Sequence, residues 1–211
     1  MNVRKLDNLS SKLEDMDVHQ LIAHRVRSLR QQLGLSLDAL AERSGVSRSN
    51  ISLIERGQSS PTAAVLDRLA TALGVALASL FEPAEGQAAA EPSPLARVAE
   101  QPVWTDPASG YVRRNVSPPV GSALQLVDVI FPPGQRVALD SAGRDAEIHQ
   151  QVWMIDGQME VTVGATLWHL NTGDCLAMRL DQPIAYRNPG RKAARYLVAL
   201  ATLPSFPNRR T

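Results

Sequence analysis

The window from Ser36 to Gly57, SLDALAERSGVSRSNISLIERG, constrains this chain more than any other. It reads as two short amphipathic helices joined by one tight turn. Leu37, Leu40 and Ala41 fall on one face of the first helix, and Val46, Ile51 and Ile54 supply the apolar side of the second. Gly45 sits between them, where reversal of the chain demands a backbone geometry that a side chain penalises. Ser36 and Ser47 stand where N-caps are wanted, because a hydroxyl accepts from the free amides of a first turn. The small side chain of Ala41 lets the second helix cross the first closely. That second helix is expected to start at Ser47 and to expose Arg48, Ser49, Asn50 and Ser52.

The flanks extend the pattern. Upstream, Ile22, Val26, Leu29 and Leu33 recur at helical spacing until Gly34, with Arg25 and Arg27 pointing away from that stripe. Downstream, a helix opens around Pro61 and Thr62 and runs through Leu66, Leu69, Ala70 and Leu73 to Gly74, after which ALASLFE closes the unit. From about Leu21 to Phe81 the chain resembles the helix-turn-helix of the phage-repressor-like (XRE) family of DNA-binding regulators. The resemblance implies a five-helix bundle whose recognition helix enters the major groove. It implies a structural ion pair between Arg30 and Glu55. It also makes Arg48, Ser49 and Ser52 the base-reading candidates, with Ser47 and Asn50 touching phosphate or the helix interior.

Net charge is only +1, so affinity for nucleic acid has to come from local clustering. Arg25, Arg27, Arg43, Arg48 and Arg56 lie in or beside the signature, with Asp38 and Glu42 among them, and Arg43 and Arg56 join the DNA-binding candidates. So mixed a surface implies moderate affinity per subunit. The expected partner is therefore a near-palindromic duplex occupied by a homodimer, with half-sites about one helical turn apart.

Composition changes after residue 82. EPAEGQAAAEPSPLARVAEQ is rich in Ala, Pro and Glu and lacks a period, so it reads as a linker. From about Pro102 come short β-like runs separated by turn residues: YVRRNV, ALQLVDVIF, VWMID, MEVTVG, TLWHL, CLAMRL, IAYRN and ARYLVAL. The expected division is a flexible arm at 1–16, a helical domain at 17–82, a linker at 83–101 and a β-domain at 102–211. Strands so spaced argue for a closed antiparallel barrel or sandwich. The second half is similar to the cupin barrel, most firmly after His149: Gly157 closes the first-motif hairpin, Gly173-Asp174 turns into the second motif, and Pro183 and Asn188-Pro189 follow. The expected fold class is therefore multidomain, α then β: a five-helix DNA-binding bundle followed by a cupin-like antiparallel β-barrel. In that family arrangement the barrel senses a small molecule.

Metal-binding cupins place two His and a Glu in the first motif and a third His in the second. Counted back from Gly157, the ligand positions hold Gly143, Asp145 and Gln150, and the second-motif position holds Ile184, a set unsuited to a transition metal. His149 and His169 are out of register and read as a loop and a strand histidine. A shifted site from Asp145, Glu147, His149 and His169 is the alternative. No metal, no other cofactor and no catalysis are expected, since no Ser/His/Asp, Cys/His or paired-carboxylate set replaces the metal. Instead the barrel is expected to hold a small effector against Gln150, Val152 and Met154 on one wall and Ile184 and Tyr186 on the other, or else to be packed solid.

No run of about twenty apolar residues suggests a membrane span, and MNVRKLDNLSSKLEDMD lacks the core of a secretory signal. The one cysteine, Cys175, reads as a small core residue and fits a reducing cytoplasm. The functional expectation is a cytoplasmic, sequence-specific transcriptional regulator, more a repressor than an activator, whose metal-free cupin domain binds an effector or dimerises. Two alternatives stand beside it: a cupin enzyme with a DNA-targeting domain, and an antitoxin-like protein-interaction factor.

Overall fold

A computed structural model describes residues 18–83, 93–120, 122–140 and 147–203. The helical half holds α1 (Val18–Gln32), α2 (Leu37–Ser44), α3 (Arg48–Glu55) and α4 (Ala63–Ala72), followed by a 3-10 turn at Leu77–Phe81. Each of the three later helices begins as the hydroxyl chemistry dictates. Ser36, Ser47 and Thr62 accept hydrogen bonds from the backbone N–H of Ala39, Asn50 and Val65. Gly45 ends α2 in the left-handed region at φ 63°, its N–H donating to the Ala41 carbonyl at 2.9 Å. Ile22, Val26, Leu40, Ile51, Ile54, Leu66 and Leu69 close the bundle core. Leu33 lies beyond the end of α1 and is half exposed, so it is not part of the buried stripe that its spacing suggested.

The described residues form four α-helices rather than five. Gly74 at φ 72° stops the chain after α4, and Ala76 offers no capping side chain. Only a few residues remain before Pro83, too few to repay the cost of nucleating another α-helix. They form the 3-10 turn instead and bury Ala78, Leu80 and Phe81.

The second half contains β1 (Val103–Thr105), β2 (Val112–Asn115), β3 (Leu124–Phe131), β4 (Arg136–Leu139), β5 (Glu147–Asp156), β6 (Gln158–Val163), β7 (Thr166–Asn171), β8 (Cys175–Arg179), β9 (Ile184–Arg187) and β10 (Ala194–Leu203). They make two antiparallel sheets, ordered β1-β2-β3-β10-β5-β8 and β4-β9-β6-β7. Among the described residues this is a two-sheet sandwich and not a closed barrel. The strands change sheet at corners where the ladder loses donors: Pro132-Pro133 between β3 and β4 contributes no N–H, and Pro183 precedes β9. Gly157 likewise turns a corner and does not close a hairpin, because β5 and β6 lie in different sheets. Its φ is 83°, and a Cβ there would stand 3.0 Å from Ala194 Cα.

The two halves share one apolar core. An aromatic file crosses from the helical half into the sandwich. Phe81 meets Trp104 edge-on at 5.7 Å, Trp104 meets Tyr111 at 5.7 Å, Tyr111 stacks on Phe131 at 5.5 Å, and the file continues through Tyr196 to Tyr186. Asp106, just past β1, reaches across and accepts from the Ala63 N–H at 2.9 Å, so a β-domain carboxylate caps α4. Its other oxygen accepts from the backbone N–H and the hydroxyl of Ser109. Residues 84–92 lie outside the described part, yet the two halves are held by direct packing on either side of them.

Candidate DNA-binding surface and interior cavity

On α3, Ile51 and Ile54 face inward with at most 1% exposure, which turns the N-terminal residues of the helix outward. Ser47, Arg48 and Ser49 are exposed, Asn50 and Ser52 are half-buried, and Arg43 and Arg56 flank them in solvent. Four of these side chains have local partners. Arg48 Nε stands 3.1 Å from Asp38 Oδ1 on α2, the Ser47 and Ser49 hydroxyls lie 3.2 Å apart, and Arg56 Nε donates to the Ser52 carbonyl. Both members of the Arg48–Asp38 pair are largely exposed, so the pair is weak and a phosphate or a base edge can displace it.

Arg25 differs from the other arginines near the signature. It is mostly buried, donates to the Ser79 carbonyl at 3.1 Å and faces Glu82 at 3.6 Å, so it ties α1 to the 3-10 turn rather than pointing into solvent. Burial pushes the Glu82 carboxyl up against the opposing effects of Arg25 and a hydrogen bond from Gln125 of β3. Arg30 forms a two-pronged pair with Glu55, Nε to Oε1 at 2.6 Å and Nη2 to Oε2 at 2.8 Å, while Nη1 donates to the Leu35 carbonyl at 2.8 Å. The hydrogen bond to Glu55 raises the pKa of Arg30.

A cavity of about 70 Å³ lies inside the sandwich, at the end covered by the helical half. Gln150, Ile184 and Tyr186 line it, and Gln150 Nε2 donates to the Tyr186 hydroxyl at 2.6 Å. Val152 and Met154 are fully buried but do not line it. The sequence reading missed four polar lining residues: Asp67 on α4, Tyr111 before β2, Arg113 on β2 and Tyr196 on β10. Alternation in YVRRNV puts Tyr111 and Arg113 on one face, but apolar patterning gave no reason to send an arginine inward. It is inward because Phe81 supplies a ring face 4.3 Å from the guanidinium carbon, and the aromatic tyrosines surround it. Arg113 is 5% exposed and its Nε has no hydrogen-bond partner. Burial lowers its pKa, while burial of Tyr111 pushes that phenol up to about 12.

Of the metal-ligand positions named above, Gly143 and Asp145 lie outside the described residues, while Gln150 and Ile184 face the cavity. Among the described residues no three His, Cys, Asp or Glu side chains gather as metal donors. His149 is on strand β5 rather than in a loop, turned outward and 3.0 Å from Glu147 Oε1. His169 is exposed on β7. Cys175 is exposed as well, not a core residue, because it falls on the outward side of β8. No helix among the described residues is long and apolar enough to cross a membrane.

Comparison with known proteins agrees with this anatomy. Residues 26–80 match the helix-turn-helix family HTH_3. The chain is 27% identical to the HTH-type transcriptional regulator SutR of Escherichia coli over 84% of this chain and 92% of that protein. It is 26% identical to the HTH-type transcriptional regulator PuuR of the same organism, over 83% and 91%. The fold of an HTH_3 family transcriptional regulator from Vibrio cholerae superposes with a TM-score of 0.67 at 24% identity, covering 89% of this chain and 97% of that one. The chain therefore carries an XRE-type helix-turn-helix domain, joined here to a two-sheet antiparallel β-domain.

Proposed function

We propose that this protein is a cytoplasmic, sequence-specific transcriptional regulator that binds duplex DNA through α3 as a homodimer, acting as a repressor, and that its β-domain binds a small effector without catalysing a reaction. The observation that supports DNA binding best is the division of α3 between two jobs. Ile51 and Ile54 anchor it rigidly, and the hydroxyl and guanidinium groups of Ser47, Arg48, Ser49 and Ser52 project from its first turns. A helix so presented fits the major groove, with Arg48 placed for a two-pronged contact to guanine and Arg43 and Arg56 for phosphate. Asn50, half-buried, supports the turn of α3 nearest the backbone of the DNA. Relatives along most of the chain are named as transcriptional regulators, which favours regulation over an enzyme carrying a DNA-targeting domain. The domain limits follow the same division: a helical DNA-binding unit at 17–82 and an effector and dimerisation unit at 102–211.

Selection from a random pool of duplex oligonucleotides tests this reading. The expected result is a near-palindrome with half-sites about one helical turn apart. Arg48→Ala is expected to cost about 1–3 kcal/mol on that site and to relax preference at one base position per half-site. Uniform weakening on all sequences would reassign Arg48 to phosphate. Recovery of no preferred duplex would overturn the function.

A further inference from the structure

The cavity joins two observations that the DNA-binding reading does not use. One is a buried cation: Arg113 lines the cavity and is 5% exposed, with Nε lacking a hydrogen-bond partner. The other is the origin of the walls. Arg113, Gln150 and Tyr186 come from the β-domain, but Asp67 comes from α4 and Leu77 and Ala78 from the 3-10 turn of the helical domain. A guanidinium shielded from water keeps its five donors in a rigid fork, a geometry that matches a carboxylate. Stacking on Phe81 orients the fork, and the tyrosine hydroxyl of Tyr111 satisfies only part of it. Most of the remaining lining is aliphatic or aromatic, which suits a short carbon skeleton.

We propose that the cavity binds a small organic monocarboxylate on Arg113, with the Gln150–Tyr186 pair hydrogen-bonding the rest of the molecule, and that α4 and the 3-10 turn read its presence directly. The proposal rests on the effector-binding reading of the β-domain and gives it a chemical class and a route. Arg113 on β2 and Asp67 on α4 line the same enclosed space, one from each half of the protein. An arriving carboxylate engages the guanidinium of the first and brings its own charge and volume up against the carboxyl-bearing face of α4. Its occupancy therefore loosens α4 from the sandwich, and the signal reaches the DNA-binding half through this contact, not through the linker. The cavity volume of about 70 Å³ restricts the ligand to a compact molecule unless the halves part.

Calorimetry and thermal shift on the full-length protein, free of DNA, provide the test, with acetate, propanoate and 2-hydroxypropanoate set against acetamide, propanamide and 2-hydroxypropanamide. The expected result is saturable binding of at least one acid, with its amide at least ten-fold weaker. Arg113→Gln is expected to abolish that binding, and Arg113→Lys, which keeps the charge but not the fork, to weaken it at least ten-fold. If the Arg113 variants do not fold, the acid-to-amide comparison on the native chain decides alone. Equal binding of acids and amides, binding unchanged by a folded Arg113→Gln variant, or no binding by any acid overturns the proposal. Affinity for the selected duplex, measured without any acid, reports separately on DNA recognition. Loss of the duplex together with retained acid binding would overturn the regulator and leave the carboxylate site standing. The route is read last: the bound acid is expected to change duplex affinity at least five-fold, and an acid that binds without changing it removes the coupling.

Discussion

Arg30 makes three hydrogen bonds from the middle of the helical domain, two to Glu55 and one to the carbonyl that precedes α2. Both side chains of the pair are mostly shielded, so Arg30→Ala leaves a carboxylate without its partner. The expected loss is about 3–5 kcal/mol of stability by urea unfolding, with Glu55→Gln alone costing less because the amide still accepts one bond. Asp128 on β3 is the corresponding group in the sandwich. Burial pushes its carboxyl up, but hydrogen bonds from Arg195 on β10, at 3.0 and 3.1 Å, and from Arg114 on β2 outweigh that and hold it below the usual 3.8. A carboxyl whose folded pKa is depressed stabilises the fold above its unfolded pKa, and that stabilisation disappears as pH falls through the folded value. Asp128→Asn is accordingly expected to cost about 1–3 kcal/mol at pH 7, and the gap to the native chain to narrow once pH drops below 3.8. The sequence offered both arginines and the aspartate as strand charges. Only strand register, with Arg114 opposite Asp128 and Arg195 two positions from Asp128's partner Leu197 on the neighbouring strand, and so on the same face, made them a cluster.

Elements were legible to the extent that their signals are local. The serine and threonine caps and the glycine stops of α2, α3 and α4 depend on a few neighbouring residues, so their ends fall close to where the side chains put them. The fifth helix implied by the family resemblance is not found among the described residues, because whether ALASLFE becomes α or 3-10 depends on how much chain is left and what it packs against. Alternation found the strands but not their sheets. Sheet membership is decided at corners such as Gly157, where the chain passes within 3.0 Å of Ala194 when a Cβ is added. Gly157→Ala combines positive φ with that clash, and a melting curve is expected to show a loss of more than about 1 kcal/mol. Asp106 shows a further limit, since its use as a cap for α4 spans 43 residues of sequence. Asp106→Ala is expected to cost about 1–2 kcal/mol and to increase hydrogen exchange at the first amides of α4 more than at those of α2.

At the scale of the molecule, the sequence suggested two domains free to move on a linker, and the structure shows a shared core through which they touch. On the proposed reading, coupling between an effector and DNA needs no long path, and a difference of about 1–3 kcal/mol between docked and loosened states is enough for a 5- to 150-fold response. The homodimer is a separate matter, tested by light scattering in solution: a mass near twice 22.9 kDa is expected, and a strict monomer on DNA would contradict it. By itself the sequence determined the helix-turn-helix, its outward arginine and serines, and the antiparallel character of the second half. Each of these follows from side-chain chemistry acting over a few residues or from a period of two or 3.6. Tertiary structure alone decided that Arg113 would be buried under Phe81, that Asp67 would share its cavity, and that an aspartate from one domain would cap a helix of the other. Such placements depend on which surfaces meet when the halves pack, and the free energy of burying a charge is set by that whole environment, which no short stretch of chain encodes.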